Sequence, residues 1–168
     1  MMFYGIIKWV IIMNCKQEKK LNINLVAAVK AMCIKELPVV SSLANISRVI
    51  MDYFPNTDWS GFYLTDETGE CLYLGPFQGS TATVKIPFGK GVCGVGAKSK
   101  QSQLVPDVHQ FEGHIACSLS SNSEVVVPII KDDKVVGVID LDSNLFDNYT
   151  ESDVVLLEEV AKVIAELF

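Results

Sequence analysis

Along the chain, apolar positions recur first at helical spacing and then at strand spacing. Residues Leu21 to Leu37 are mostly good helix formers with Leu25, Val29, Met32 and Glu36 three or four positions apart, and Pro38 disfavours helical geometry in the residue before it, so a helix is expected to run to Leu37. Pro38 can open a second helix, in which Leu43, Ile46, Ile50 and Tyr53 share one face down to Phe54 and the breaker Pro55. After Asn56 the period shortens to two. Trp59 to Leu64 and Cys71 to Phe77 flank TDETGE, which predicts an antiparallel hairpin turning near Gly69. A third apolar segment, Ala82 to Phe88, runs into GKGVCGVG (Gly89 to Gly96), where the density of glycine favours a tight turn leading into a short helix. Gln103 to Asn122 has little periodicity and reads as a long irregular loop. Glu124 to Ile130, the turn KDDK and Val135 to Asp142 form a second hairpin of β-branched strands. Thr150 then caps a last helix, with Asp153 at the capping-box position and Val154, Leu157, Ala161 and Ile164 on one face.

Two hairpins exclude a simple alternating parallel fold. The expectation is an α+β domain: one central antiparallel sheet of about five to six strands, with amino-terminal and carboxy-terminal helices packed on it. A chain of 168 residues, 49% hydrophobic and 20% charged, supplies one ordinary core, which we place at residues 21–168. Residues 3–13 are apolar apart from Gly5 and Lys8. That run is shorter than the roughly 20 residues a membrane span requires, and it lacks the basic start and small-residue cleavage site of a signal peptide. Residues 1–20 therefore read as an amino-terminal extension, whether an extra strand, a packed segment or a mis-called start, rather than as a membrane anchor.

Charge and cysteine count narrow the classes further. Fourteen Lys plus Arg against twenty Asp plus Glu leave a net charge of -6, so no bulk basic surface faces nucleic acid or an anionic membrane. Five widely spaced cysteines, an odd number, argue against a disulfide scaffold and for a reducing cytoplasm.

Two cysteines sit where a thiol could be held near a cleft: Cys93 within GKGVCG and Cys117 within FEGHIACS. His114, or the backbone N–H groups of a glycine-rich turn, could favour a thiolate there, although buried cysteines also serve as small hydrophobes. Asp140 and Asp142 lie two apart on a predicted strand, so both carboxylates leave the same face while Leu141 leaves the other, and Glu124 starts the neighbouring strand. Acids converging at paired strand ends suit a cation, a substrate ammonium group or a metal ion; the plainer reading is a solvated strand end. His109, His114 and Cys117 offer zinc-type ligands, but no CxxC pair accompanies them, and no metal is expected. The Walker spacing and the Gly-x-Ser-x-Gly elbow are both missing. Trp59, Phe62 and Tyr63 fit a strand core, and Trp59 could alternatively wall a small pocket.

Taken in order, SSLAN, DWSGFYL, LGPFQG, IPFGKGVCG, VPDVHQFEGHIAC, SEVVVPII and GVIDLDS resemble the free methionine-R-sulfoxide reductases, single-domain members of the GAF fold, over roughly residues 20–168. The resemblance implies reduction of the R epimer of free methionine sulfoxide. It assigns Cys117 as the thiolate that attacks the sulfoxide sulfur and becomes a sulfenic acid, Cys93 as the resolving thiol, and a thioredoxin-type dithiol, itself NADPH-linked, as external reductant. No bound cofactor is implied. Glu124, Asp140 and Asp142 match the acidic substrate-binding positions, and Trp59 the pocket aromatic beside the substrate methyl. Two positions depart from the pattern: Thr83 stands where the family commonly carries a third cysteine, and Ser118 where an aspartate is usual. The competing class is a non-catalytic GAF module that binds or senses a small molecule. A homodimer is compatible with either.

Overall fold

The computed structural model describes residues 25–113, 115 and 120–168. The expected extension at residues 1–20 lies outside them. Helix α1 occupies residues 25–32 and stops well short of Leu37. There the Cys33 N–H is shared between the carbonyls of Val29 and Lys30 at 3.1 and 3.3 Å, and the Ile34 N–H donates to Ser42 Oγ at 3.4 Å. The helix formers that follow are used in a turn that folds back on the next helix, so tertiary contact overrides local propensity. Helix α2 follows at Val39–Tyr53, with Pro38 at its cap.

The strands are β1 (Trp59–Thr65), β2 (Cys71–Gln78), β3 (Lys85–Pro87), β4 (Gln103–Val105), β5 (Ser123–Lys131) and β6 (Lys134–Ser143). Helix α3 (Gly91–Ser99) lies between β3 and β4, and α4 (Glu151–Ala165) closes the fold. The strands form one sheet in the order β3-β2-β1-β6-β5-β4, antiparallel throughout. This is the expected α+β architecture. The third apolar segment narrows to three paired residues, and the expected loop at Gln103 to Asn122 contains strand β4 and a 3-10 turn at Val108–Gln110. Three residues are too few to display a period of two; β4 exists because Gln103, Leu104 and Val105 pair with Val126, Val125 and Glu124 at the sheet edge.

Both hairpins and the final cap form as the pattern requires. The β5–β6 turn places Asp132 and Asp133 at φ 47° and 61°, the left-handed conformation whose twist matches that of the flanking strands. The Thr150 N–H donates to Asp153 Oδ2 at 2.8 Å in a capping box, and Val154, Leu157, Ala161 and Ile164 are buried beneath.

The sheet separates two apolar layers. Phe62, Val125, Val127, Ile139 and Leu141 project to one side, against α1, α2 and α4. Trp59, Tyr63, Val126 and Val138 project to the other, against Val92, Cys93 and Ala97 of α3. Close approach of α3 depends on glycine: a Cβ at Gly94 would lie 2.4 Å from the Pro87 carbonyl oxygen. Among the described residues, no helix is long and apolar enough to cross a membrane.

Candidate active site

The face of the sheet that meets α3 also carries the acids. In the β5–β6 register Glu124 opposes Asp142 and Val126 opposes Asp140, while across β6 and β1 Asp142 opposes Trp59 and Asp140 opposes Gly61. Opposed residues of an antiparallel pair share a face. Strand pairing therefore collects Glu124, Asp142 and Trp59 in one row and Asp140 in the next, on the side covered by Cys93. All five are buried, with Glu124 5%, Asp140 1% and Asp142 2% exposed.

Cys93 sits in the first turn of α3, where it comes down onto the acids. Its Sγ is 3.9 Å from Glu124 Oε1, and one ligand atom each from Cys93, Glu124 and Asp140 lie within 4.8 Å of one another. Neither Asp140 oxygen has a hydrogen-bond partner among the described residues. Cys93 and Glu124 are near enough to act on it electrostatically, but not in hydrogen-bond geometry. Burial pushes the Glu124 carboxyl well above the usual carboxylate range, and the Asp142 charge pushes it further. Asp140 is raised by burial first and then by repulsion from Asp142 and Glu124. The site thus holds protons more tightly than exposed carboxyls do. A hollow of about 580 Å³ lies at the far end of the sheet beside Thr65, Asp133 and Phe168 and includes none of these residues.

Trp59 is held as a rigid plate. Its ring stacks on Phe77 at 5.3 Å and on Tyr63 at 5.9 Å between centroids, and its Nε1 donates to the Ser80 carbonyl at 3.1 Å. Two glycines make room for it. A Cβ at Gly61 would come 2.6 Å from the indole Cη2 and 2.4 Å from the Phe77 Cβ; one at Gly79, where φ is +124°, would come 2.7 Å from the indole Cδ1. Sequence reasoning missed this cradle, although Gly61, inside a strand segment, carries the mark of a close approach; Gly79 follows the end of β2.

The sequence candidates divide accordingly. Cys93, Glu124, Asp140, Asp142 and Trp59 lie on one face of the sheet. Cys117, Ser118 and His114 fall outside the described residues. His109 is engaged elsewhere, with Nε2 3.1 Å from Asn122 Oδ1 and its ring against Phe146. Among the described residues, Cys33, Cys71 and Cys93 are in no disulfide.

Known proteins share this arrangement of elements. A family model described as GAF domain matches residues 40–168. The free methionine-R-sulfoxide reductase of Escherichia coli is 42% identical over 73% of this chain and 73% of its own length. That of Saccharomyces cerevisiae is 45% identical over 74% and 73%. The chain belongs to the free methionine-R-sulfoxide reductase family of GAF domains. A solved family member, the Neisseria meningitidis reductase in complex with its substrate, superposes with a TM-score of 0.82 at 37% identity, over 88% of this chain and 87% of that one. In this family member, then, the GAF sheet carries three buried acids on the face that α3 covers with Cys93.

Proposed function

We propose that this chain reduces free L-methionine-(R)-S-oxide to L-methionine by thiol chemistry. The observation that carries the reading is the buried cluster of Cys93, Glu124, Asp140 and Asp142 beside the Trp59 plate, in a chain related over 73–74% of its length to reductases of this name. The Cys117 thiolate attacks the sulfoxide sulfur; the oxygen passes to the cysteine, leaving a sulfenic acid and releasing methionine. The Cys93 thiol then displaces water from the sulfenic acid to form a disulfide, and a thioredoxin-type dithiol reopens it by exchange. No prosthetic group takes part.

The acids serve two demands of this reaction. A substrate ammonium group offsets the negative charge that Asp142 imposes on its neighbours. A carboxyl whose proton affinity is raised by burial retains its proton at neutral pH and can donate it as the S–O bond breaks. Trp59 supplies a flat apolar wall for the substrate methyl. Amino and carboxyl groups enclosed among buried residues leave no path for a peptide chain, which accounts for action on the free amino acid.

The test is an anaerobic single turnover of the reduced protein with free methionine-R-sulfoxide, counting both methionine released and thiols lost. The expected result is one methionine per chain with loss of two thiols. Binding without methionine would overturn the reading and leave a ligand-binding module.

A further inference from the structure

Buried acids surrounding a thiol describe a coordination site as well as a proton site. We propose that Cys93, Glu124 and Asp140 form a binding site for a borderline-soft divalent cation of the zinc class, occupied reversibly in the reduced protein. Two observations support it. The three ligand atoms already lie within 4.8 Å of one another, with Sγ and Oε1 at 3.9 Å. A tetrahedral zinc with about 2.3 Å to sulfur and about 2.1 Å to oxygen needs roughly 3.6 Å between those two ligands, so small side-chain rotations complete the set. Both oxygens of Asp140, a residue 1% exposed, have no hydrogen-bond partner among the described residues, although they face the Cys93 thiol and the Glu124 carboxyl.

The donor set selects the ion. One sulfur with two carboxylates disfavours calcium and magnesium, which take oxygen alone, and suits zinc or its spectroscopic substitute cobalt. Binding releases the thiol proton and any carboxyl proton to solvent and replaces them with a dication, which relieves the repulsion from Asp142. Protein supplies three ligands, and the fourth position is left to water or a small molecule. Because the same groups are assigned to the sulfoxide reaction, bound metal competes with substrate and holds the enzyme inactive; this last consequence rests on the proposed activity, and the site itself does not.

The experiment is an anaerobic cobalt titration of the full-length reduced chain, followed by the thiolate-to-cobalt charge-transfer band and by zinc displacement calorimetry. Cys117→Ser removes the other assigned thiol and is expected to keep the band. Cys93→Ser should abolish it, and Asp140→Asn, close in shape to the protonated acid but unable to ionise onto a metal, should weaken cobalt binding at least tenfold while circular dichroism stays unchanged. A band that persists in Cys93→Ser, or Asp140→Asn binding as tightly as the unmodified chain, overturns the site. Cobalt bound as expected in a protein that yields no methionine when assayed metal-free would support the metal site and refute the reductase reading.

Discussion

Removing one carboxylate from the buried cluster should change how stability depends on pH. Glu124 and Asp140 bind protons more tightly in the folded protein than in the unfolded chain, chiefly through burial and also through repulsion from Asp142. For an acid shifted upward, the sign follows from proton counting. Below the ordinary carboxylate range both states are protonated and nothing is lost. Above it the unfolded chain releases its proton while the folded protein keeps it, so stability falls as pH rises, until the folded group also ionises. Each group in that interval contributes a slope of about 1.4 kcal/mol per pH unit. For a domain of this size 1 kcal/mol moves Tm by about 2–4 °C, so each group lowers Tm by about 3–6 °C per pH unit. Asp140→Asn removes its own contribution and leaves that of Glu124, which burial and the Asp142 charge maintain. The substrate-free variant should therefore show a shallower decline in Tm than the unmodified protein from pH 5 to 8, and should exceed it in stability at the upper end. Asp66, Asp107, Asp133 and Glu166, whose carboxyls are held below their usual range by exposed hydrogen bonds and ion pairs, act in the opposite sense, but at lower pH. Thermal unfolding followed by circular dichroism decides the matter: equal slopes in the two proteins, or a Tm that rises with pH in this window, would refute the reasoning.

Other substitutions probe separate parts of the argument. Cys117→Ser should abolish methionine formation, whereas Cys93→Ser should release one methionine per chain and then recycle slowly with thioredoxin; full multiple turnover in Cys117→Ser would remove it as the nucleophile. Asp142→Asn should raise KM for free methionine sulfoxide, and steady-state kinetics indistinguishable from the unmodified chain would take Asp142 out of the site. Gly61→Ala drives a methyl into the Trp59 and Phe77 rings and should cost about 1–3 kcal/mol by denaturant unfolding, as overpacking generally does. Thr150→Ala loses a helix cap and should cost about 1 kcal/mol by the same measurement, without altering turnover.

Much of this molecule was legible in local pattern. The two hairpins, the cap at Thr150 and the helix beginning in the glycine-rich turn follow from period, turn chemistry and capping, which act over a few residues. The common face of Asp140 and Asp142 follows from the pleat of one strand, whatever the sheet around it. Local pattern misjudged the end of α1, where good helix formers are spent in a turn held by Ser42, and gave no sign of β4, whose three residues acquire strand geometry only by pairing with β5. The site itself belongs to the tertiary structure. Glu124 meets Asp142 through the β5–β6 register, Trp59 joins them because β1 lies on the other side of β6, and Cys93 reaches the acids because Gly94 lets α3 settle against Pro87. Strand order and helix approach are set by burial of the whole core, a sum over distant residues that no short window of sequence contains.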